Sequence, residues 1–109
     1  MDQIQRIRTA FWLGTPKPGA ERQWRDTIVQ ELLPAFRAIP GVRDAKACWP
    51  DKREDNPPGI ACQFIVEFAC QADLERMLAS PERAGIRPHV QRALALFDGH
   101  VSHIEYLVD

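Results

Sequence analysis

The sequence predicts an α+β fold, a four-stranded antiparallel sheet with helices on one face, on the strength of three observations. Apolar and polar residues alternate with a period of two in four separate runs. Two longer stretches with apolar residues at helical spacing separate the first run from the second and the third from the fourth. Glycine and proline punctuate the junctions, giving strand, helix, strand, strand, helix, strand, the order of the split βαβ arrangement.

Gln3 to Leu13 reads as the first strand, with Ile7, Thr9, Phe11 and Leu13 alternating with Arg6, Arg8, Ala10 and Trp12. The run Gly14-Thr15-Pro16-Lys17-Pro18-Gly19 is expected to stop it. A helix follows, from about Pro18 or Ala20 to Ile39, its apolar stripe made by Trp24, Ile28, Leu32, Phe36 and Ile39. Glu21 and Arg25 are spaced to pair on its outer side, and Pro34 predicts a kink because it cannot donate to the carbonyl of Gln30. Val42 to Trp49 reads as an edge strand, since Asp44 and Lys46 break its apolar pattern. The polar segment Pro50 to Gly59 is long for a hairpin connection and reads either as a solvated loop or as a lid. Ile60 to Phe68 is the clearest strand, with Ile60, Cys62, Phe64, Val66 and Phe68 on one face. The second helical region is expected in pieces: a short helix through Ala79 capped by Asp73, a restart at Ser80-Pro81, interruptions at Gly85 and Pro88, and a last piece from His89 to Phe97. Asp98-Gly99 ends it, and His100 to Val108 is the last strand. Right-handed crossovers then order the strands fourth, first, third, second, with both helices on the same face of a ferredoxin-like βαββαβ domain covering residues 1–109.

Apolar residues make up 45% and charged residues 27% of the chain, the make-up of a soluble globular domain. A net charge of −1 gives no general attraction to nucleic acid or anionic lipid, and no aromatic RNA-binding motif is present. No stretch is apolar enough to cross a bilayer, and the start Asp2-Gln3-Ile4-Gln5 lacks the features of a signal peptide, so a cytoplasmic location is expected. Cys48, Cys62 and Cys70 form no CxxC pair and read as plain thiols. His89, His100 and His103 show no metal-ligand spacing, and phosphate loops, dinucleotide fingerprints and nucleophile elbows are missing. Neither a metal nor a cofactor is expected.

With the alternation assigned as above, the sheet face turned away from the helices would carry Ala10, Trp12, Ala61, Ile65, Val101 and Leu107 among charged groups. That much apolar surface predicts a two-fold homodimer joined sheet to sheet. The element order, the segment Glu31-Leu32-Leu33-Pro34-Ala35-Phe36-Arg37-Ala38-Ile39-Pro40-Gly41-Val42 and the stretch from Phe68 to Ala79-Ser80-Pro81-Glu82 resemble the dimeric α/β-barrel superfamily. That group includes EthD-like proteins, antibiotic-biosynthesis monooxygenases and stress-responsive A/B-barrel proteins. The ending Asp98-Gly99-His100-Val101-Ser102-His103-Ile104-Glu105-Tyr106 is most similar to EthD-like members. The resemblance implies a pocket between sheet and helices and a small-metabolite function, such as cofactor-free oxygenase or isomerase chemistry on an aromatic or polyketide-like ligand. A non-catalytic dimeric accessory module is the alternative.

Arg6, Arg8, Gln63, Glu67, His103 and Glu105 are expected to share the face away from the helices, with Arg8 in reach of Glu67 and Glu105. They form a hydrogen-bond network within the dimer interface, a catalytic group, with His103 acting as acid or base, oriented by Glu105, beside Arg8 as an anion clamp, or simply an exposed charged surface. Thr9 and Tyr106 are expected to point toward the helices, lining a pocket with Phe11, Trp24 and Phe64 or simply filling the core. Gln63 and Glu67 complete the ligand-lining candidates, together with His89. The resemblance places His89 where some haem-degrading relatives carry a ligand histidine; its other reading is a solvated or capping residue.

Overall fold

The computed structural model describes residues 3–109. It contains β1 (Arg6–Pro16), α1 (Glu21–Thr27), a π-helical turn (Ile28–Leu32), α2 (Leu33–Arg37), β2 (Val42–Cys48), β3 (Ile60–Phe68), α3 (Gln71–Leu78), α4 (Pro81–Ala95) and β4 (Phe97–Leu107). The sheet is antiparallel in the order β2-β3-β1-β4, the predicted topology. Among the described residues, no helix is long and apolar enough to cross a membrane.

α1, the π turn and α2 run on as one helix, so Pro34 does not break it. The backbone widens by one residue just before the proline: the Leu33 amide donates to the Ile28 carbonyl, five residues back. That insertion relieves the crowding a proline ring imposes on the preceding turn. α4 likewise continues through Gly85 and Pro88 instead of splitting. Its start is as predicted, with Ser80 Oγ accepting from the Arg83 amide at 3.1 Å and Pro81 in the first turn. In α3, Cys70 holds the cap position, while Asp73 lies in the first turn and pairs with Arg76 at 3.0 Å.

β1 does not stop at Gly14. It pairs with β4 as far as Pro16 opposite Phe97, with Gly14 facing Gly99. Both glycines adopt positive φ, and a Cβ on Gly14 would stand 2.1 Å from the Asp98 carbonyl oxygen. Glycine at both positions lets the two strands approach where any side chain would collide, and the strand survives its glycine.

The register reassigns the faces of β1 and β4. Arg6, Arg8, Ala10 and Trp12 stand opposite Phe68, Val66, Phe64 and Cys62, the buried, helix-facing set of β3. Across β4 they meet Leu107, Glu105, His103 and Val101. The expectation that this set faces away from the helices is therefore overturned. Trp12 anchors an aromatic cluster with Trp24 and Phe97, at centroid separations of 5.8 and 5.3 Å, and Trp24 stacks on Phe97. The error came from placing Arg6 and Arg8 in water: the helix-facing row is polar at one end, where it reaches the edge of the helical layer, and apolar at the other.

The opposite face of the sheet carries Ile7, Thr9, Phe11 and Leu13 alongside Gln63, Ile65, Glu67, Ile104 and Tyr106. Among the described residues, no element covers it. Of the residues expected there, Ile65 takes its place, whereas Ala10, Trp12 and Val101 pack into the core. Ala61 lies at a bulge and also packs against the core, and Leu107 projects from the helix-facing side.

Candidate functional site

Where the helix-facing row turns polar, the sheet and the helical layer part to leave a cleft of about 420 Å³. Its floor is Arg8 from β1 and His103 from β4, and its walls include Phe36 from α2, Met77 from α3 and Ile86 and Val90 from α4. Ser80 closes the α3–α4 corner, and Arg83 and Arg87 overhang it from α4. Phe64 supports Phe36 from the core side at a ring separation of 5.3 Å.

Two of the three residues proposed for catalysis thus line one cavity, and the third braces it. Arg8 Nη1 donates to Glu105 Oε2 at 2.8 Å. Glu67, the other expected partner of Arg8, is on the reverse face and pairs with Lys46 at 2.8 Å. Desolvation against the cleft wall pushes the His103 imidazole below its ordinary 6.5, and the positive charges of Arg8 and Arg83 push in the same direction. Glu105 pulls the other way without reversing the shift. The result is an imidazole that stays neutral near pH 7, within a cationic surrounding.

The remaining candidates scatter. Thr9, Phe11 and Tyr106 belong to the uncovered face, with Gln63 and Glu67, so none of the five lines the sheet–helix cleft. Trp24 and Phe64 are core residues. Trp24 borders a second, more open groove of about 480 Å³ beside Trp49 and the 49–59 segment, where Arg25 lies over the Trp49 ring at 4.3 Å. The Trp24 Nε1 donor is buried without a partner. His89 ties α4 to the π turn: its Nδ1 lies 2.7 Å from Glu31 Oε1, which also accepts from Arg92 Nη2 at 2.6 Å. These contacts hold the Glu31 carboxyl below its usual range, His89 contributing most. His89 is thus engaged as an interhelical brace and lies outside the cleft.

Burial raises the Cys62 thiol to about 12, which leaves it unreactive near neutrality. Among the described residues, no three His, Cys, Asp or Glu side chains converge to hold a metal ion.

Sequence reasoning missed Ser80, Arg83 and Arg87. The signal was present: once Ser80-Pro81 starts a helix, Arg83, Ile86, Arg87 and Val90 fall at offsets of three and four and share a face. Splitting the helix at Gly85 and Pro88 hid that face.

No family model matches the chain, and a search of curated proteins returned no match. Solved structures do match. An ethyl tert-butyl ether d (EthD) family protein from Bacillus halodurans superimposes with a TM-score of 0.73 at 12% identity, over 97% of this chain and 100% of that one. A DABB family protein with a ferredoxin-like fold from Mesorhizobium loti gives 0.70 at 18% identity, over 97% and 98%. A hydroxynitrile lyase from Passiflora edulis gives 0.70 at 14% identity, over 98% and 96%. The chain therefore has the ferredoxin-like fold that these EthD and DABB proteins share.

Proposed function

We propose that the protein is a homodimeric small-molecule enzyme that uses the sheet–helix cleft for cofactor-free proton transfer on an aromatic or polyketide-like ligand. The observation that carries this reading is a neutral imidazole, His103, in a partly apolar cleft beside the guanidinium groups of Arg8 and Arg83. His103 accepts a proton from an acidic C–H or O–H of the ligand. The oxyanion left on the ligand is stabilised by the adjacent arginines, and Glu105 holds Arg8 in place. Returning the proton to a different carbon completes an isomerisation; reaction of the same anion with dioxygen would be an oxygenation. That one protein of this fold is a hydroxynitrile lyase supports an enzymatic reading. In a purely accessory module, packing like that of Trp12, Trp24 and Phe97 would extend along the whole sheet–helix space, whereas here it stops at the cleft.

The uncovered face supports the homodimer. Ile104 and Tyr106 are 46% and 40% exposed on it, beside Ile7, Phe11 and Ile65, a contiguous apolar patch that a second copy would bury.

Deuterium exchange into phenylacetone in heavy water tests the base directly, since it needs only C–H cleavage and its reversal. The protein is expected to accelerate exchange, and His103→Ala to reduce the rate about a hundredfold. The acid limb should lie below pH 6.5, because the folded imidazole binds its proton less readily than a free one. Arg83→Ala removes one depressing charge and should move the limb upward. The unfolded chain protonates His103 near 6.5 and the folded chain only at lower pH, so stability should fall as pH drops through that window, and less in His103→Ala. An unchanged exchange rate in His103→Ala would contradict the assignment.

A further inference from the structure

We infer that the ligand is an amphipathic carboxylate, its apolar body against Phe36, Met77 and Ile86 and its carboxylate held by Arg83 and Arg87. The inference rests on the reading of the cleft as the ligand site and adds what that site selects. Three arginines line the cleft and no acidic residue does, in a chain whose net charge is −1. Glu105 answers Arg8 alone. Arg83 Nη1 donates to the Leu78 carbonyl at 3.2 Å, which leaves its charge uncompensated, and Arg87 has no hydrogen-bond or ion-pair partner among the described residues.

Arg83 and Arg87 stand one turn apart on α4, where like charges disfavour the helix. A bound anion removes that repulsion, and two guanidinium forks suit the planar carboxylate, which accepts paired hydrogen bonds. The start of α4 does not compete for the anion, because Ser80 Oγ already takes the Arg83 amide and donates to the Met77 carbonyl. The anion-holding groups are therefore side chains, and the apolar walls receive the rest of the molecule. This orientation leaves the ligand body over His103, on the cleft floor.

Phenylbutyrate and its neutral amide, phenylbutyramide, separate charge from shape. Titration calorimetry should show the acid binding about tenfold more tightly than the amide, with a preference that shrinks as salt is added. Arg87→Ala, a change at an exposed position without a partner, should remove most of the difference while leaving the amide-proton spectrum folded. Equal affinities, with shifts at the Phe36 and Ile86 amides, would overturn the carboxylate selectivity and leave the cleft as the ligand site. No shift at those amides with either probe would overturn both.

Discussion

Gly14→Ala is expected to destabilise the protein by roughly 3–5 kcal/mol, enough to unfold a large fraction of it under conditions where the parent is native. Two costs coincide at this residue. Its φ of +133° is one that alanine adopts only under strain, and the added methyl would lie 2.1 Å from the Asp98 carbonyl oxygen and 2.9 Å from the Gly99 Cα. Neither obstacle is a flexible side chain, so relief requires β1 and β4 to part. Parting them would pull Phe97 from the Trp12 and Trp24 rings, which extends the damage into the core. Urea denaturation checks this. The contrast is Gly19→Ala: its φ is also positive, at +78°, but nothing lies within 4 Å of an added Cβ, so only the backbone strain is incurred. A Gly14→Ala midpoint no lower than that of Gly19→Ala would mean that the two strands are not held this close.

Ile65→Asp is expected to convert the homodimer proposed above to monomer, and Leu107→Asp is not. Ile65 sits on the uncovered face with Thr9 and Lys46 as its cross-strand neighbours, and Lys46 already pairs with Glu67, so a second copy docking there would bury a carboxylate without a cation of its own. A penalty of about 3 kcal/mol or more corresponds to at least a hundredfold weaker association. Leu107, at 74% exposure the most accessible of the large apolar residues among those described, points to the helix side of the sheet, away from the proposed interface. Light scattering across a dilution series distinguishes the two. A parent that is monomeric at micromolar concentration, or a Leu107→Asp that dissociates while Ile65→Asp does not, would show that the interface lies elsewhere.

The topology was legible in the sequence because period-two alternation and glycine–proline punctuation are local signals. β3 in particular has one strictly apolar face and appears with its predicted limits. The faces of β1 and β4 were not legible. Both alternating sets of β1 contain large apolar residues, Phe11 and Leu13 in one and Trp12 in the other, so hydrophobicity alone cannot orient the strand. Arg6 and Arg8 tipped the choice outward, yet long arginine stems can run along an interface and place their charges at its edge, as Arg6 does toward Gln71 and Arg8 toward Glu105. The mistake bears on function: charged residues on the helix-facing side of two adjacent strands are the mark of the cleft itself. Arg8, His103 and Glu105 do share one face of the sheet, the helix-facing one. Thr9, Phe11 and Tyr106 went with the reversed face, and Thr9 is buried there by its neighbours on the sheet without facing any helix. Pro88 misled for a related reason. A proline withdraws one donor, but packing of the flanking turns keeps α4 continuous.

Crystals soaked with a mixed set of small aromatic acids, ketones and phenols show whether the cleft between β1, β4 and α4 is where this protein meets its ligand. Electron density is expected in contact with His103 and Arg83 over the Phe36 and Ile86 side chains. Density confined to the groove beside Trp49, with the cleft empty in every soak, would contradict it.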